Sequence, residues 1–356
     1  MRRYELVDRR RVELRTGIAV PRPGPGEVLV RVGACTICGR SDLVYYHWLG
    51  LRAHCAQGCF GHEIAGTVEE VGPGVRRVAP GDRVFVRTPL SSGYADFALA
   101  REVAVGHLPD AIPFEQGAIL QLLPLAVHAT RGVGLGDRVL IVGQGPVGLM
   151  ALQLAKLRGA AAVTVVDLDP WRLERAAQLG ADRTLAAPPG ATERELAELL
   201  AAGGPGVRGS SSGPSGPGGS VAGGGFDVAI EAVGTPATAR GCVDAVRVNG
   251  LVVFLGTHHV DTSVSFDMVQ WEKKGLRVHT AAEATDEARA AAMAVAERLA
   301  AHGRIRLAEL HTHTYPLTEL PRALEQLSQS PLLHPADAPG PYAGPPPRTL
   351  KIAVCP

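Results

Sequence analysis

Two patterns of apolar and polar positions divide this chain of 356 residues. Up to about residue 122, short apolar runs such as 27–32, 64–71 and 83–86 alternate with turns rich in proline and glycine. Short apolar runs bounded by such turns are typical of β-strands, and no pattern of a long amphipathic helix appears among them. We therefore expect the first third of the chain to form a β-rich lobe.

The pattern changes after Gly136, where longer apolar runs alternate with helical segments. Strands that are apolar at nearly every position are typical of a parallel sheet, which is buried on both faces. Alternation of such strands with helices predicts βαβ units and a doubly wound sheet, so the fold class is α/β. The strands are predicted at 139–142, 163–166, 227–230 and 251–255, with helices that include 170–179 and 236–246.

Two segments interrupt this organisation. Residues 203–225 contain 11 glycines, three prolines and five serines, and such a tract buries too little apolar area to order itself. Residues 328–348 are rich in proline and predict a surface excursion before a last short strand at 350–354. The predicted domains are therefore 1–122, 123–297 with the disordered insertion 203–225, and 298–356, which returns to the first domain.

Charge and composition narrow the classes of partner. The 36 lysines and arginines nearly balance the 35 aspartates and glutamates, so we predict neither nucleic acid nor a membrane as partner. The longest charge-free apolar stretch, 139–155, is short for a membrane span and contains glycines and a proline. The N-terminus carries charges throughout, unlike a signal peptide. Because a large core does not need disulfides, the six cysteines are expected to be reduced, in a cytoplasmic protein.

A glycine-rich motif follows the first predicted strand of the parallel sheet. It is the GxGxxG stretch Gly143-Gln144-Gly145-Pro146-Val147-Gly148, and a predicted helix begins inside it. Glycines permit the tight turn and the close approach of a pyrophosphate, and the helix N-terminus attracts its charge. Asp167 ends the next strand, where a carboxylate accepts both ribose hydroxyls of NAD and repels the 2′-phosphate of NADP. We therefore predict an NAD site.

A second set of reactive residues lies in the β-rich lobe. His62 and Glu63 stand in the stretch Gly61-His62-Glu63-Ile64-Ala65-Gly66, and Cys38 lies upstream. A thiolate, an imidazole and a carboxylate suit a tetrahedral zinc with one open position, as in catalytic zinc sites. Each residue alone has a structural explanation, since a lone cysteine is usually a small core residue. Their combination with a dinucleotide motif favours a metal site.

These motifs, in this order, resemble the zinc-dependent medium-chain alcohol and polyol dehydrogenases of the medium-chain dehydrogenase/reductase superfamily. The resemblance covers nearly the whole chain and is most specific in the block 61–66. It extends to the stretches 23–30, 81–84, 136–139 and 312–317. It implies a GroES-like catalytic domain and a Rossmann domain, with the active site in the cleft between them.

The resemblance also implies the metal ligands. Cys38 and His62 match two ligands of the catalytic zinc, and Glu63 matches a carboxylate that binds the zinc or supports it from close by. Gln121 occupies the position of a further ligand, for which glutamine is a weaker oxygen donor. The four-cysteine lobe that holds a second, structural zinc in relatives is missing, and Cys55 and Cys59 do not replace it. We therefore expect one zinc per chain.

Further roles follow from the same resemblance. Ser41 matches the hydroxyl that relays the proton, although an extra residue separates it from Cys38. Val233 and Leu255 match backbone positions that flank the nicotinamide. Arg172 matches an arginine that lies over the adenine, and its alternative is a solvated helix charge.

The activity that the resemblance implies is NAD-dependent oxidation of a secondary alcohol or a polyol, in a homodimer or homotetramer. Zinc acts as a Lewis acid on the substrate hydroxyl, and a hydride passes to the nicotinamide. Two alternatives stay open. One is a zinc-free quinone or enone reductase of the same superfamily, which the glutamine at position 121 favours. The other is a non-catalytic nucleotide-binding redox sensor.

Overall fold

The computed structural model describes residues 1–48, 60–191, 193–202, 225–256, 263–282, 285–329 and 348–356. Nearly all of the predicted excursions 203–225 and 328–348 lies outside these residues, as do Cys55 and Cys59. The strands are β1 Arg3–Asp8, β2 Arg11–Arg15, β3 Glu27–Thr36, β4 Glu63–Val71, β5 Arg83–Arg87, β6 Phe97–Arg101, β7 Val105–His107, β8 Arg138–Val142, β9 Ala162–Asp167, β10 Arg183–Ala186, β11 Phe226–Glu231, β12 Val246–Phe254, β13 Arg277–Thr280, β14 His311–Pro316 and β15 Lys351–Cys355. The α-helices are α1 Ser41–His47, α2 Phe114–Gly117, α3 Leu123–Thr130, α4 Pro146–Leu157, α5 Pro170–Gln178, α6 Glu193–Ala202, α7 Pro236–Ala245, α8 Met268–Lys274, α9 Asp286–Ala301 and α10 Leu320–Ser328.

The chain forms two compact units, one of Met1–Pro124 with Glu283–Pro356 and one of Leu125–Ala282. In the first unit a seven-stranded sheet has the order β14-β15-β3-β4-β5-β7, and β6 also pairs with β3. Its pairs are antiparallel except for β14 with β15. This sheet is the β-rich lobe that the short apolar runs predict.

The C-terminal part of the chain completes the first unit. β15 pairs with β3, with Ala353 opposite Thr36. Helix α9 belongs to this unit as well, because its buried face packs against β7 and the 3-10 turn Glu102–Ala104. The boundary between the units therefore precedes α9, whereas the predicted boundary between 297 and 298 falls inside this helix.

The second unit is built on a six-stranded parallel sheet. Its strand order is β10-β9-β8-β11-β12-β13, which is the order of a dinucleotide-binding doubly wound fold. The apolar residues of β8 and β11, the run 163–166 of β9 and the run 251–253 of β12 are buried, as continuous apolar runs predict. No helix in the described part of the chain is long and apolar enough to cross a membrane.

Candidate metal centre and dinucleotide turn

The metal-ligating side chains predicted from the sequence meet in the first unit. Cys38 follows the end of β3, His62 precedes β4, and Glu63 is the first residue of β4. The two strands pair with Thr36 opposite Glu63, so the chain segments that carry the three residues lie side by side. One ligating atom from each of Cys38, His62 and Glu63 lies within 4.8 Å of the other two.

Asp42 holds the backbone beside two of these residues. Its fully buried carboxylate accepts hydrogen bonds from the Cys38 amide at 2.9 Å, the Gly61 amide at 3.0 Å and the Tyr94 hydroxyl at 2.6 Å. Its Oδ1 also lies 3.7 Å from Nδ1 of His62. Burial raises the pKa of Asp42, and the three donors offset part of the cost of burying its charge.

Glu63 forms a buried ion pair with a residue from the far end of the chain. Its Oε2 accepts hydrogen bonds from the Thr36 hydroxyl and from Nζ of Lys351, and Lys351 also donates to the carbonyl of Ile37 at 3.0 Å. Both side chains of the pair are almost completely buried. Oε1 of Glu63, in contrast, is a buried acceptor without a hydrogen-bond partner in the described structure.

The charges around this cluster favour the ionised forms of its acidic groups. Burial by itself raises the pKa of Glu63, but the positive charge of Lys351 lowers it below its ordinary value. Burial and the charge of Glu63 raise the pKa of Cys38, yet the hydrogen bond with His62 brings it below its ordinary value. Burial lowers the pKa of His62, but the hydrogen bond with Cys38 and its charge raise it to about 10.

A zinc ion fits this donor set. A thiolate, an imidazole and a carboxylate are ligands that zinc prefers, and three protein ligands leave a position open for substrate. The unpartnered Oε1 of Glu63 supplies a buried lone pair that a metal would satisfy.

Ser41 lies beside the cluster in spite of the extra residue that precedes it. It begins α1, and its hydroxyl donates to Sγ of Cys38 at 3.0 Å. Gln121 is buried in the 3-10 helix Ala118–Leu122, which packs against β4 and β5. Its predicted role as a ligand stays a prediction.

The glycine-rich motif forms the turn between β8 and α4 in the second unit. Gly143 has a φ of 96°, and a Cβ on Gly148 would lie 2.0 Å from the Gly143 carbonyl oxygen. Only glycine therefore fits at these positions. A Cβ on Gly145 would meet no atom within 4 Å, so this side of the turn is open, as the close approach of a pyrophosphate requires. Asp167 accepts a hydrogen bond from the Gln144 amide at 2.6 Å.

Three other predicted cofactor residues lie in the same unit, two just after strands and one on a helix. Val233 follows β11 and Leu255 follows β12. Arg172 on α5 is buried, and its Nε lies 3.6 Å from Oδ2 of Asp169. The alternative of a solvated helix charge is therefore wrong, because α5 buries the face that carries Arg172. Its contact with an adenine stays a prediction.

Sequence reasoning assigned no role to Asp42, Lys351 or Glu231, although all three are buried charged residues. For Lys351 a signal was present, since one of only four lysines stands in a short apolar strand. Asp42 lies in the first turn of α1. Acidic residues are common in the first turn of a helix because they favour its positive end, so nothing in the sequence assigned Asp42 to the site.

Comparisons with known proteins identify the family of the chain. Residues 146–298 match the zinc-binding dehydrogenase family, and residues 24–109 match the alcohol dehydrogenase GroES-like domain. Sorbitol dehydrogenase of Homo sapiens is 37% identical over 197 residues, which are 47% of this chain and 55% of that protein. The matched part therefore spans about half the length of that relative.

Two further matches are longer. Sorbitol dehydrogenase of Ovis aries is 33% identical over 275 residues, which cover 69% of this chain and 72% of that protein. The solved alcohol dehydrogenase from Thermus sp. ATN1 superposes with a TM-score of 0.76 at 24% identity, over 100% of this chain and 99% of that one. The matches confirm the predicted family, one of zinc-dependent oxidoreductases, and the predicted α/β fold class. The chain belongs to the zinc-binding dehydrogenases of the medium-chain dehydrogenase/reductase superfamily.

Proposed function

We propose that the protein is a zinc-dependent dehydrogenase that exchanges a hydride between an alcohol and NAD. The observation that carries this proposal is the meeting of Cys38, His62 and Glu63, whose ligating atoms lie within 4.8 Å of one another. A small-molecule alcohol as substrate agrees with the family. The names of the relatives, which are sorbitol dehydrogenases, support a polyol or a secondary alcohol as the more specific class.

Cys38, His62 and Glu63 would hold the zinc, and Gln121 is the remaining candidate ligand. Bound zinc supplies Lewis-acid polarisation of the substrate oxygen, and bound NAD supplies the hydride acceptor. Asp42 keeps the Cys38 and Gly61 amides in place, so the ligand positions are fixed before metal binds.

Ser41 would move the substrate proton. Its Oγ lies 3.0 Å from Sγ of Cys38, so a substrate oxygen bound beside Cys38 would be within reach of this hydroxyl. Ser41 Oγ would accept the alcohol proton while it passes its own hydrogen to solvent water, as the first group of the proton relay.

The second unit would bind the dinucleotide. The pyrophosphate would bind at the open turn and the N-terminus of α4, which are formed by Gly143, Gly145, Pro146, Val147 and Gly148. Asp167 would accept the adenosine ribose hydroxyls, Arg172 would contact the adenine, and Val233 and Leu255 would flank the nicotinamide.

The proposed function is tested by zinc content and turnover of the purified protein. We expect one zinc per chain, not two, together with reduction of NAD by polyols or secondary alcohols. A zinc-free reductase would instead reduce quinones or enones in metal-free form. A redox sensor would bind NADH without turning over any carbonyl. Either result would contradict the proposal.

Cofactor preference gives a further prediction, which rests on the charge of Asp167. Asp167→Ala should raise activity with NADP relative to NAD, because the carboxylate that repels the 2′-phosphate is gone. Asp167→Asn is the matched variant. It removes the charge and keeps one of the two oxygens that accept from the Gln144 and Asp169 amides, and it should shift the preference in the same direction. The ratio of kcat/KM for the two cofactors measures the effect. A wild-type protein that already prefers NADP would refute the argument.

We also propose a homodimer or homotetramer in the cytoplasm. β13 is the last strand of the parallel sheet and pairs, among the strands described, with β12 alone. Such an edge offers backbone donors and acceptors to a second copy of the chain. The described cysteines, Cys35, Cys38, Cys242 and Cys355, are free thiols, which agrees with a reducing compartment.

A further inference from the structure

Glu231 is a fully buried carboxylate at the end of β11, in the interior of the parallel sheet. Its Oε1 accepts hydrogen bonds from the Val233 amide at 2.8 Å, the Gly234 amide at 2.7 Å and the Thr238 hydroxyl at 2.7 Å. It lies at the N-terminus of α7, where a negative charge is favoured. These contacts offset the cost of burying the charge.

The backbone of the same residue holds the neighbouring turn. The Glu231 carbonyl accepts hydrogen bonds from the amides of Leu255 and Gly256, each at 2.8 Å. A Cβ on Gly256 would lie 2.7 Å from Oε2 of Glu231 and 2.3 Å from the Gly234 nitrogen. The turns that follow β11 and β12 are therefore packed directly against each other, with Glu231 between them.

The turn after β11 also touches the glycine-rich turn after β8. A Cβ on Gly143 would lie 2.7 Å from Cγ2 of Val233 and 3.1 Å from the Ala232 carbonyl oxygen. The Ala232 amide donates to the Val142 carbonyl at 2.8 Å. Three turns therefore meet at the carboxyl ends of β8, β11 and β12, and Glu231 forms hydrogen bonds with two of them.

We propose that Glu231 is a positioning residue for the nicotinamide half of the dinucleotide. The inference rests on the proposed function, in which Val233 and Leu255 flank the nicotinamide. Glu231 itself faces backbone amides and a hydroxyl of the protein, so it acts through the two turns. All three donors bond the charged Oε1, so neutralising Glu231 weakens these charge-assisted hydrogen bonds. The turn 232–235 then loses its fixed conformation, and a displacement of about 1 Å at a reacting group costs about 100-fold in rate.

Glu231→Gln tests this role, with Asp227→Asn as the matched control. Asp227 lies near the other end of β11 and also accepts three hydrogen bonds, from the Arg138 amide at 2.8 Å, Nε of Arg138 at 2.9 Å and Nε of Arg247 at 2.5 Å. Both substitutions neutralise a carboxylate of the same strand that accepts several hydrogen bonds. Only Glu231 lies at the carboxyl end of β11, where the three turns meet.

We expect Glu231→Gln to lower kcat by about 10- to 100-fold and to weaken NADH binding more than binding of ADP-ribose, which lacks the nicotinamide. The KM for alcohol should change less than kcat. Asp227→Asn should lower thermal stability without these effects. A folded Glu231→Gln protein with wild-type turnover, or with equal losses of NADH and ADP-ribose affinity, would overturn the proposal.

Amide hydrogen exchange of the cofactor-free protein supplies a readout that does not depend on activity. Glu231→Gln should speed exchange at 232–235 and 255–256, whereas Asp227→Asn should not. If Glu231→Gln does not fold, Thr238→Val removes one of the three donors and should reproduce the effects in weaker form, with Thr238→Ser restoring wild-type behaviour. A wild-type protein that binds no NADH would refute the proposed function. Unchanged exchange in the variants would refute the positioning role.

Discussion

Cys38→Ala is expected to release most of the bound zinc and to lower alcohol oxidation by about 10⁴-fold, since Lewis-acid polarisation lowers the activation barrier by several kcal/mol. His62→Ala should behave in the same way, because each change removes one of the three proposed ligands, whose ligating atoms lie within 4.8 Å of one another. NADH binding should survive in both variants, since the glycine-rich turn belongs to the other compact unit. Zinc content after dialysis, NADH formation and calorimetric NADH binding measure the three effects.

Ser41→Ala is the control that separates metal binding from proton transfer. It removes the hydroxyl 3.0 Å from Sγ of Cys38 but no ligand, so zinc should stay bound while turnover falls by about 100-fold. If Cys38→Ala retained wild-type activity and the purified protein contained no zinc, the dehydrogenase mechanism would be excluded and the zinc-free reductase favoured.

The loss of zinc affinity in Glu63→Gln and in Gln121→Ala shows which of the two uncertain positions contributes more to metal binding. We expect Glu63→Gln to cost more zinc affinity, because Oε1 of Glu63 is a buried acceptor without a hydrogen-bond partner in the described structure. The reverse order would mean that Gln121 coordinates the metal directly.

The four inner strands of the parallel sheet were predictable because they are buried on both faces, whereas the largely exposed edge strands β10 and β13 were not predicted. The runs at 139–142 and 163–166 lie within β8 and β9, since a continuous apolar stretch has no polar face to confuse the assignment. The boundary before α9 was not predictable in this way. The pattern of Asp286–Ala301 indicates that one helix face is buried, but the residues against which it packs, on β7 and Glu102–Ala104, are distant in sequence.

In the candidate site too, residues within short motifs could be predicted from the sequence, whereas a partner far away along the chain could not. Cys38, His62 and Glu63 stand in short motifs, and the pairing of β3 with β4 brings them together. Lys351 lies 288 residues from Glu63 along the chain, and no local pattern identifies the carboxylate that it meets. A buried charge in an apolar strand indicates that a partner exists, because an unpaired one would cost several kcal/mol.

The buried pair of Lys351 and Glu63 leads to the second prediction with a large effect. Lys351→Met should lower the free energy of unfolding of the metal-free protein by about 3–5 kcal/mol, because it leaves the Glu63 carboxylate buried without its counter-charge. Denaturant unfolding in the presence of a chelator measures the loss. Lys156→Met is the matched control: its ion pair with Asp182 is partly exposed, so that change should cost less than about 1 kcal/mol.

Zinc and a second substitution show whether the lost counter-charge is the cause. If Glu63 is a zinc ligand, the metal compensates its charge, so Lys351→Met should destabilise the zinc-loaded protein much less than the metal-free protein. The double variant Lys351→Met with Glu63→Gln should recover part of the loss, since the uncompensated charge is gone. An equal loss with and without zinc would mean that Glu63 only supports the site from nearby. A double variant no more stable than Lys351→Met would mean that the lysine stabilises the fold through its packing and its hydrogen bond to Ile37, and not through its charge.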